Sequence, residues 1–300
     1  GVALVPTAPA RNRSNDTFFP FRPDSDFYYL TGFAEPEAVA VFRPDHPRSF
    51  VLFVRQRDPA QEIWDGRRAG LEGAKKVFGA DEVFTIDRFD GELPRLFEGA
   101  PRIYLAPGKY PEFDAKVNAV IDGFRKKSRT GVKPPAAVVD LREVLHEMRL
   151  RKSPADLKHH RRAATISAAA HVAAMRACPP GMMEYEIEAV LEYVFKKHGA
   201  RFPGYNHIVA SGTNATILHY DQNNRRMDEG DLLLVDAGAE VELFSGDITR
   251  TYPVSGRFTP AQREIYEVVL AAQKAAIRAV RPGVPFNRVH ETAVKVIARG

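Results

Sequence analysis

The sequence predicts two domains, an α/β domain over residues 1–150 and, over 151–300, a domain in which helices bracket a strand-rich stretch. Three observations lead there. The 300-residue length exceeds the ~100–150 residues most common for one domain. Ahead of residue 140, short β-rich runs alternate with segments of helical composition, the pattern of an α/β layer. The basic, Pro/Gly-rich stretch Gly131-Val132-Lys133-Pro134-Pro135 then marks an exposed loop near a domain edge, and strong helix signals follow it.

In the first domain the clearest strands are 38–42, 50–54 and 103–106, each short, apolar and bounded by turn-forming or charged residues. The second opens with Ser153-Pro154, a capping residue followed by proline at the first helical position. That helix should run to 177, where Cys178-Pro179-Pro180-Gly181 stops it. A second covers 184–198. Its Ile187, Val190, Leu191, Val194 and Phe195 form one apolar stripe, with glutamates at its start, lysines at its end and Gly199 beyond. A strand-rich stretch spans 208–254. A third helix starts at Thr259-Pro260 and ends before Pro282, and a fourth runs from 287 with Val289, Ala293, Val296 and Ile297 on a face that nothing later covers.

Composition excludes several classes. With 44% hydrophobic and 27% charged residues the chain is globular rather than disordered. No run approaches the roughly 18 apolar residues of a membrane span, and the start lacks the basic and apolar regions of a secretory signal. One cysteine, Cys178, rules out an internal disulfide or a thiolate cluster and fits the reducing cytoplasm. The net charge of +5 has its densest basic runs at 125–129 and 159–162. Neither interleaves aromatics as a single-strand platform would, so no nucleic-acid partner is expected.

The most informative segment is Asp231-Leu-Leu-Leu-Val-Asp236-Ala-Gly, followed after eight residues by Asp247-Ile-Thr-Arg-Thr-Tyr-Pro. The run 232–235 lacks polar alternation, which predicts a strand covered on both faces. Asp236, in phase with Leu232 and Leu234, then lies on a buried surface and needs a cation, a metal or strong donors. A chain reversal near Val241-Glu242 would oppose Asp236 to Asp247, with Cβ atoms about 4.5–5.5 Å apart. Two divalent ions about 3.5–4 Å apart would relieve that repulsion, and hard oxygen ligands suit Mn²⁺, Mg²⁺ or Co²⁺. Other readings stay open: Asp247 paired with Arg250 or capping a turn, or a glycosidase-like carboxylate pair. His219 and His207 are each a proton carrier or a satisfied structural residue. No His-Glu-x-x-His, Walker A or Gly-x-Ser-x-Gly sequence is present.

The segments Ile217-Leu-His219-Tyr, Asp231 to Gly238, Gly246-Asp247-Ile-Thr-Arg-Thr-Tyr-Pro and Phe258-Thr-Pro-Ala-Gln-Arg-Glu-Ile-Tyr resemble the catalytic domain of the Xaa-Pro aminopeptidases (aminopeptidase P). The run from Arg11 through Asp24-Ser-Asp-Phe-Tyr-Tyr-Leu-Thr-Gly-Phe to Ala38 resembles that family's N-terminal domain. So do Glu62-Ile-Trp64-Asp-Gly-Arg-Arg and His146-Glu-Met-Arg-Leu-Arg-Lys-Ser-Pro. The resemblance implies an α/β N-terminal domain that assists oligomer assembly, as a homodimer or homotetramer, and an α+β pita-bread catalytic domain of the creatinase/aminopeptidase type. It implies that Asp236 and Asp247 are two of five ligands to two divalent ions, usually Mn²⁺. His219 and Tyr205 match substrate-side groups, Trp64 a tryptophan extended toward a neighbouring subunit's site, and Arg129 a substrate-side arginine. The implied reaction is metal-assisted hydrolysis by a bound hydroxide, releasing the first residue of peptides with proline second.

One histidine and two glutamates of the implied ligand set have no match in the chain. They are expected beyond Gly300, so the pita-bread domain is expected to be incomplete there. The alternatives are a prolidase, which cuts only Xaa-Pro dipeptides, and a non-catalytic pita-bread module that binds peptides or proteins.

Overall fold

The computed structural model describes residues 1–300, which form two compact units, Gly1–Ser153 and Pro154–Gly300. Its elements alternate in the first unit: strands β1 (Val2–Pro6), β2 (Asn12–Ser14) and β3 (Thr17–Phe18), helix α1 (Ser25–Thr31), β4 (Val39–Phe42), β5 (Phe50–Val54), helices α2 (Pro59–Asp65) and α3 (Gly70–Phe78), β6 (Glu82–Thr85), α4 (Phe89–Phe97), β7 (Arg102–Leu105), α5 (Pro111–Lys126), β8 (Ala137–Asp140) and α6 (Leu141–Leu150).

A mixed sheet in the order β6-β5-β4-β1-β7-β8 forms its centre. Strand alternation divides the core into two layers. Leu4, Val41, Phe53 and Ile103 pack with Leu93, Leu96 and Phe97 of α4 and Val117 of α5. On the other face Val5, Ala40, Leu52 and Val54 pack with Phe27 of α1, Ala74 of α3 and Leu145 of α6. This is the α/β architecture expected. Strand β1 ends on a proline, which weakens its reading as a strand, whereas β4, β5 and β7 stand out in the sequence.

The second unit runs α7 (Pro154–Arg176), α8 (Glu184–Lys197), β9 (Phe202–Pro203), β10 (Ile208–Ser211), β11 (Leu232–Ala237), β12 (Ala239–Val241), β13 (Phe244–Ser245), β14 (Ile248–Pro253), α9 (Pro260–Ala279) and α10 (Phe286–Ile297). Two antiparallel sheets, β10-β11-β14 and β13-β12-β9, lie against α7 and α8. Fully buried Ala163, Ala170 and Ala174 let α7 approach closely, while Ile187, Leu191 and Phe195 of α8 fill the rest of this core. Thr259 caps α9 through a reciprocal pair of bonds with Gln262. The inner face of α10 is partly covered: α10 packs on α9, leaving Val289, Ala293 and Val296 half-buried, while Ile297 remains 53% exposed. No helix in either unit is long and apolar enough to cross a membrane.

Two expectations for the β11 region need correction. Only one face of β11 is fully covered: Leu233, Val235 and Ala237 are buried, whereas Leu232, Leu234 and Asp236 lie on a half-exposed face. A continuous apolar run does not distinguish two buried faces from one buried face opposite a cleft. The reversal also falls one residue later than expected. Val241 pairs with Phe244, so the loop is Glu242-Leu243, both at positive φ (50° and 59°) as in a type I′ turn. Asp236 therefore faces Thr249, not Asp247. The usual Asn-Gly signal for this turn is absent, so the sequence does not reveal the register. A two-residue shift preserves the face on which each side chain lies, and the two aspartates still converge.

Candidate active site

Asp236 is the fifth residue of β11, between Ile208 of β10 and Thr249 of β14. Asp247 lies just before β14, and Tyr205 in the loop between β9 and β10. The Tyr205 hydroxyl donates to Asp236 Oδ1 at 2.5 Å and reaches Asp247 Oδ1 at 3.3 Å. Burial, then the bond to Asp236 and the charges of both carboxylates, pushes the Tyr205 phenol well above its ordinary range. It therefore stays protonated and remains a donor. Arg250 instead donates to the Thr249 carbonyl at 2.7 Å, so the Asp247–Arg250 pairing does not form.

These groups border a cleft of about 410 Å³, together with Asn206, Ile208, His219 and Asp221. His219 is solvent-exposed on the loop between β10 and β11. His207 points the other way. It is 3% exposed and packs against Phe195 with ring centroids 5.5 Å apart, and neither ring nitrogen has a partner. Trp64 belongs to the first unit, on α2, with Ile63 beside it; they are 84% and 82% exposed. Arg129 is exposed in the same unit.

The strand carrying Asp236 is held by α7. Ser167 Oγ accepts from Ala239 N at 2.9 Å and donates to the Ala163 carbonyl at 2.7 Å. One turn on, His171 Nε2 donates to the Ala237 carbonyl at 3.1 Å. These i, i+4 contacts straddle Gly238, where the chain passes from one sheet to the other. A Cβ on Gly238 would lie 1.7 Å from the Gly246 carbonyl oxygen, and one on Gly246 would lie 2.4 Å from Ser167 Oγ. Both glycines are thus required by close backbone approach beneath the aspartates.

Some contributors were hidden in the sequence. Glu184, read there as an acidic residue favourable to the start of α8, is fully buried and accepts hydrogen bonds from the loop that carries His219. Nothing in the spacing distinguishes a glutamate facing solvent at a helix start from one turned inward. Asn206 and Asp221, which line the cleft, stand beside Tyr205 and Tyr220 without a motif of their own.

The donor set fits part of a divalent-ion site. Two carboxylates share one face and one hydroxyl, lack a cationic partner, and supply hard oxygens suited to Mg²⁺, Mn²⁺ or Co²⁺. No cluster of three or more His, Cys, Asp or Glu side chains in residues 1–300 has the arrangement of a metal site.

Residues 158–300 match the model of metallopeptidase family M24, and residues 1–104 match the aminopeptidase P N-terminal domain. The Xaa-Pro aminopeptidase of Escherichia coli (strain K12) is 45% identical over 301 residues, covering 100% of this chain and 68% of that protein. The solved structure of Pseudomonas aeruginosa aminopeptidase PepP superposes with a TM-score of 0.97 at 48% identity, covering 99% of this chain and 68% of that one. A zinc-substituted E. coli aminopeptidase P in complex with product gives a TM-score of 0.95 at 44% identity, with coverages of 99% and 68%. The chain thus spans about two thirds of the length of these relatives. An α/β unit of the aminopeptidase P type, followed by a pita-bread unit with a carboxylate pair on its open sheet face, is the arrangement of one family: the chain belongs to the Xaa-Pro aminopeptidases of metallopeptidase family M24.

Proposed function

We propose that this protein is a metal-dependent aminopeptidase that releases the N-terminal residue from peptides with proline in second position. The observation that carries this reading is the gathering of Asp236, Asp247, Tyr205 and His219 around one open cleft in a chain of this family. Asp236 and Asp247 would hold two divalent ions, manganese in the cell, with further ligands from outside residues 1–300. Such ions, when bound, polarise a carbonyl and acidify water.

The chain's own residues have separate tasks. Tyr205 fixes the carboxylates by donating to both. His219, exposed at the rim, meets the substrate and donates toward the carbonyl oxygen as charge develops there. Proline's nitrogen carries no proton, so the cleft must recognise the Xaa-Pro bond by shape. The first unit supports a homodimer or homotetramer in the cytoplasm and presents Trp64 to a neighbouring subunit's cleft.

The test adds Mn²⁺ to the full-length protein and measures release of the first residue from Xaa-Pro-Yaa and Xaa-Pro peptides. Cleavage of the tripeptide supports the reading. Activity on the dipeptide alone would indicate a prolidase, and no turnover with no bound metal would indicate a binding module.

A further inference from the structure

Glu184, the first residue of α8, is completely buried. Its Oε1 accepts from Ser211 N and Ser211 Oγ, each at 2.7 Å, and from Asn214 Nδ2 at 3.4 Å. Its Oε2 accepts from the Tyr220 hydroxyl at 2.7 Å and from Arg225 N at 2.9 Å. These donors span the loop between β10 and β11 from its start to beyond its middle. Burial by itself would push the Glu184 carboxyl up, but the bonds from Ser211, Tyr220 and Arg225 outweigh it and hold the group below its ordinary range. Glu184 is a carboxylate surrounded by donors.

His219 sits in this loop, and its immediate neighbours differ sharply. Ile217 and Leu218 are 52% and 89% exposed and anchor nothing, whereas Tyr220 is 6% exposed and packs with Ile208, Ala210 and Leu234. The placement of His219 thus depends on Tyr220, and that of the Tyr220 hydroxyl on Glu184. One turn along α8, Glu188 accepts from Asn223 Nδ2 at 2.9 Å, and Asn223 Oδ1 accepts from Val209 N at 2.9 Å, so the descending side of the loop is tied to the same helix. Burying a carboxylate costs several kcal/mol unless donors compensate, which is more than packing α8 would require.

We propose that Glu184 is a positioning residue for the cleft: through the Tyr220 hydroxyl it sets His219 at the rim opposite Asp236 and Asp247. The proposal rests on the reading of His219 as the substrate-side group. Glu184→Gln keeps the shape, but in either orientation its amide N–H₂ faces a backbone donor, Ser211 N or Arg225 N. Tyr220→Phe removes one bond and retains the ring, and it remains informative if Glu184→Gln fails to fold.

The experiment measures kcat, KM and Mn²⁺ affinity by calorimetry in full-length protein, for each variant alone and combined with His219→Ala. Glu184→Gln is expected to lower kcat about 10- to 100-fold, as sub-ångström to ångström misplacement does, with Mn²⁺ affinity unchanged. In the His219→Ala background, neither Glu184→Gln nor Tyr220→Phe should cost anything further, because residues acting through one group are non-additive. Fully additive losses, or a parallel fall in Mn²⁺ affinity, would overturn the proposal while leaving the functional reading intact. Turnover unaffected by His219→Ala would remove the functional reading and the proposal with it.

Discussion

The hydroxyl of Tyr205 donates to Asp236 Oδ1 at 2.5 Å from a loop 31 residues earlier in the chain. The same oxygen reaches Asp247, so one neutral donor serves two like charges. That arrangement raises the phenol's proton affinity above its ordinary value of 10.0, chiefly through burial and then through Asp236.

A spectroscopic prediction follows from this shift. The phenolate absorbance lost on Tyr205→Phe should appear only well above pH 10.0. Because the folded pKa lies above the unfolded one, Tyr205 stabilises the fold below pH 10.0, and this stability is withdrawn as pH rises past that value. An ultraviolet alkaline titration of wild type and variant checks it; a difference spectrum centred at pH 10.0 would contradict the geometry.

Asp247→Asn tests the carboxylate pair directly. The amide keeps the shape but loses the charge and one strong acceptor. Mn²⁺ affinity should fall by at least about 100-fold, the upper end of what losing a mere supporting residue costs, and metal-dependent turnover should vanish. Calorimetry and peptide assays on the same preparations read both effects; wild-type affinity would remove Asp247 from the ligand set.

Asp236 and Asp247 were legible because their segments are long and distinctive, and because period-2 alternation places side chains by face even when the register is off by two. The register itself was hidden because Glu242 and Leu243 adopt positive φ without a glycine or asparagine to announce it. The long helices were readable to within a few residues from their caps and stripes. The tertiary tasks of Glu184, Ser167 and His171 were not, since an inward glutamate, a small polar residue in an alanine-rich helix and a core histidine have no spacing rule. Their roles depend on segments 27, 72 and 66 residues away.

Close backbone packing beneath the site predicts graded destabilisation. Gly238→Ala places a methyl 1.7 Å from a backbone oxygen and should cost about 3 kcal/mol or more, at the high end for overpacking. Ser167→Ala leaves the buried Ala239 N–H without its acceptor, which costs about 1–3 kcal/mol. Urea midpoints rank the two; an undisturbed Gly238→Ala would mean that the Gly246 carbonyl does not press on Gly238.

His207 predicts an acid limb. Its proton affinity is lowered first by burial, with the charges of His171 and Lys196 acting the same way and Glu188 and Glu192 opposing. A lowered folded pKa means the unfolded chain binds the proton first. Stability is therefore full above the unfolded value of 6.5 and is lost as pH falls toward the folded value, by up to about 1.4 kcal/mol per pH unit. His207→Leu should reduce this slope below pH 6.5, leaving the share of buried His171, whose proton affinity burial also lowers; chemical denaturation at successive pH values measures it.

Trp64 separates assembly from folding. At 84% exposure beside Ile63 at 82%, it contributes almost nothing to its own unit's core, so Trp64→Ala should change the unfolding midpoint by less than about 0.5 kcal/mol. An exposed apolar pair of this kind is more consistent with a partner surface than with solvent. If a neighbouring subunit receives Trp64 near its cleft, Trp64→Ala should raise KM for peptides and weaken the oligomer while Mn²⁺ affinity stays constant. Sedimentation velocity and steady-state kinetics on one preparation decide between the possibilities: unchanged assembly with unchanged KM would make Trp64 an ordinary surface residue, whereas weakened assembly with a raised KM would tie substrate capture to the contact between subunits.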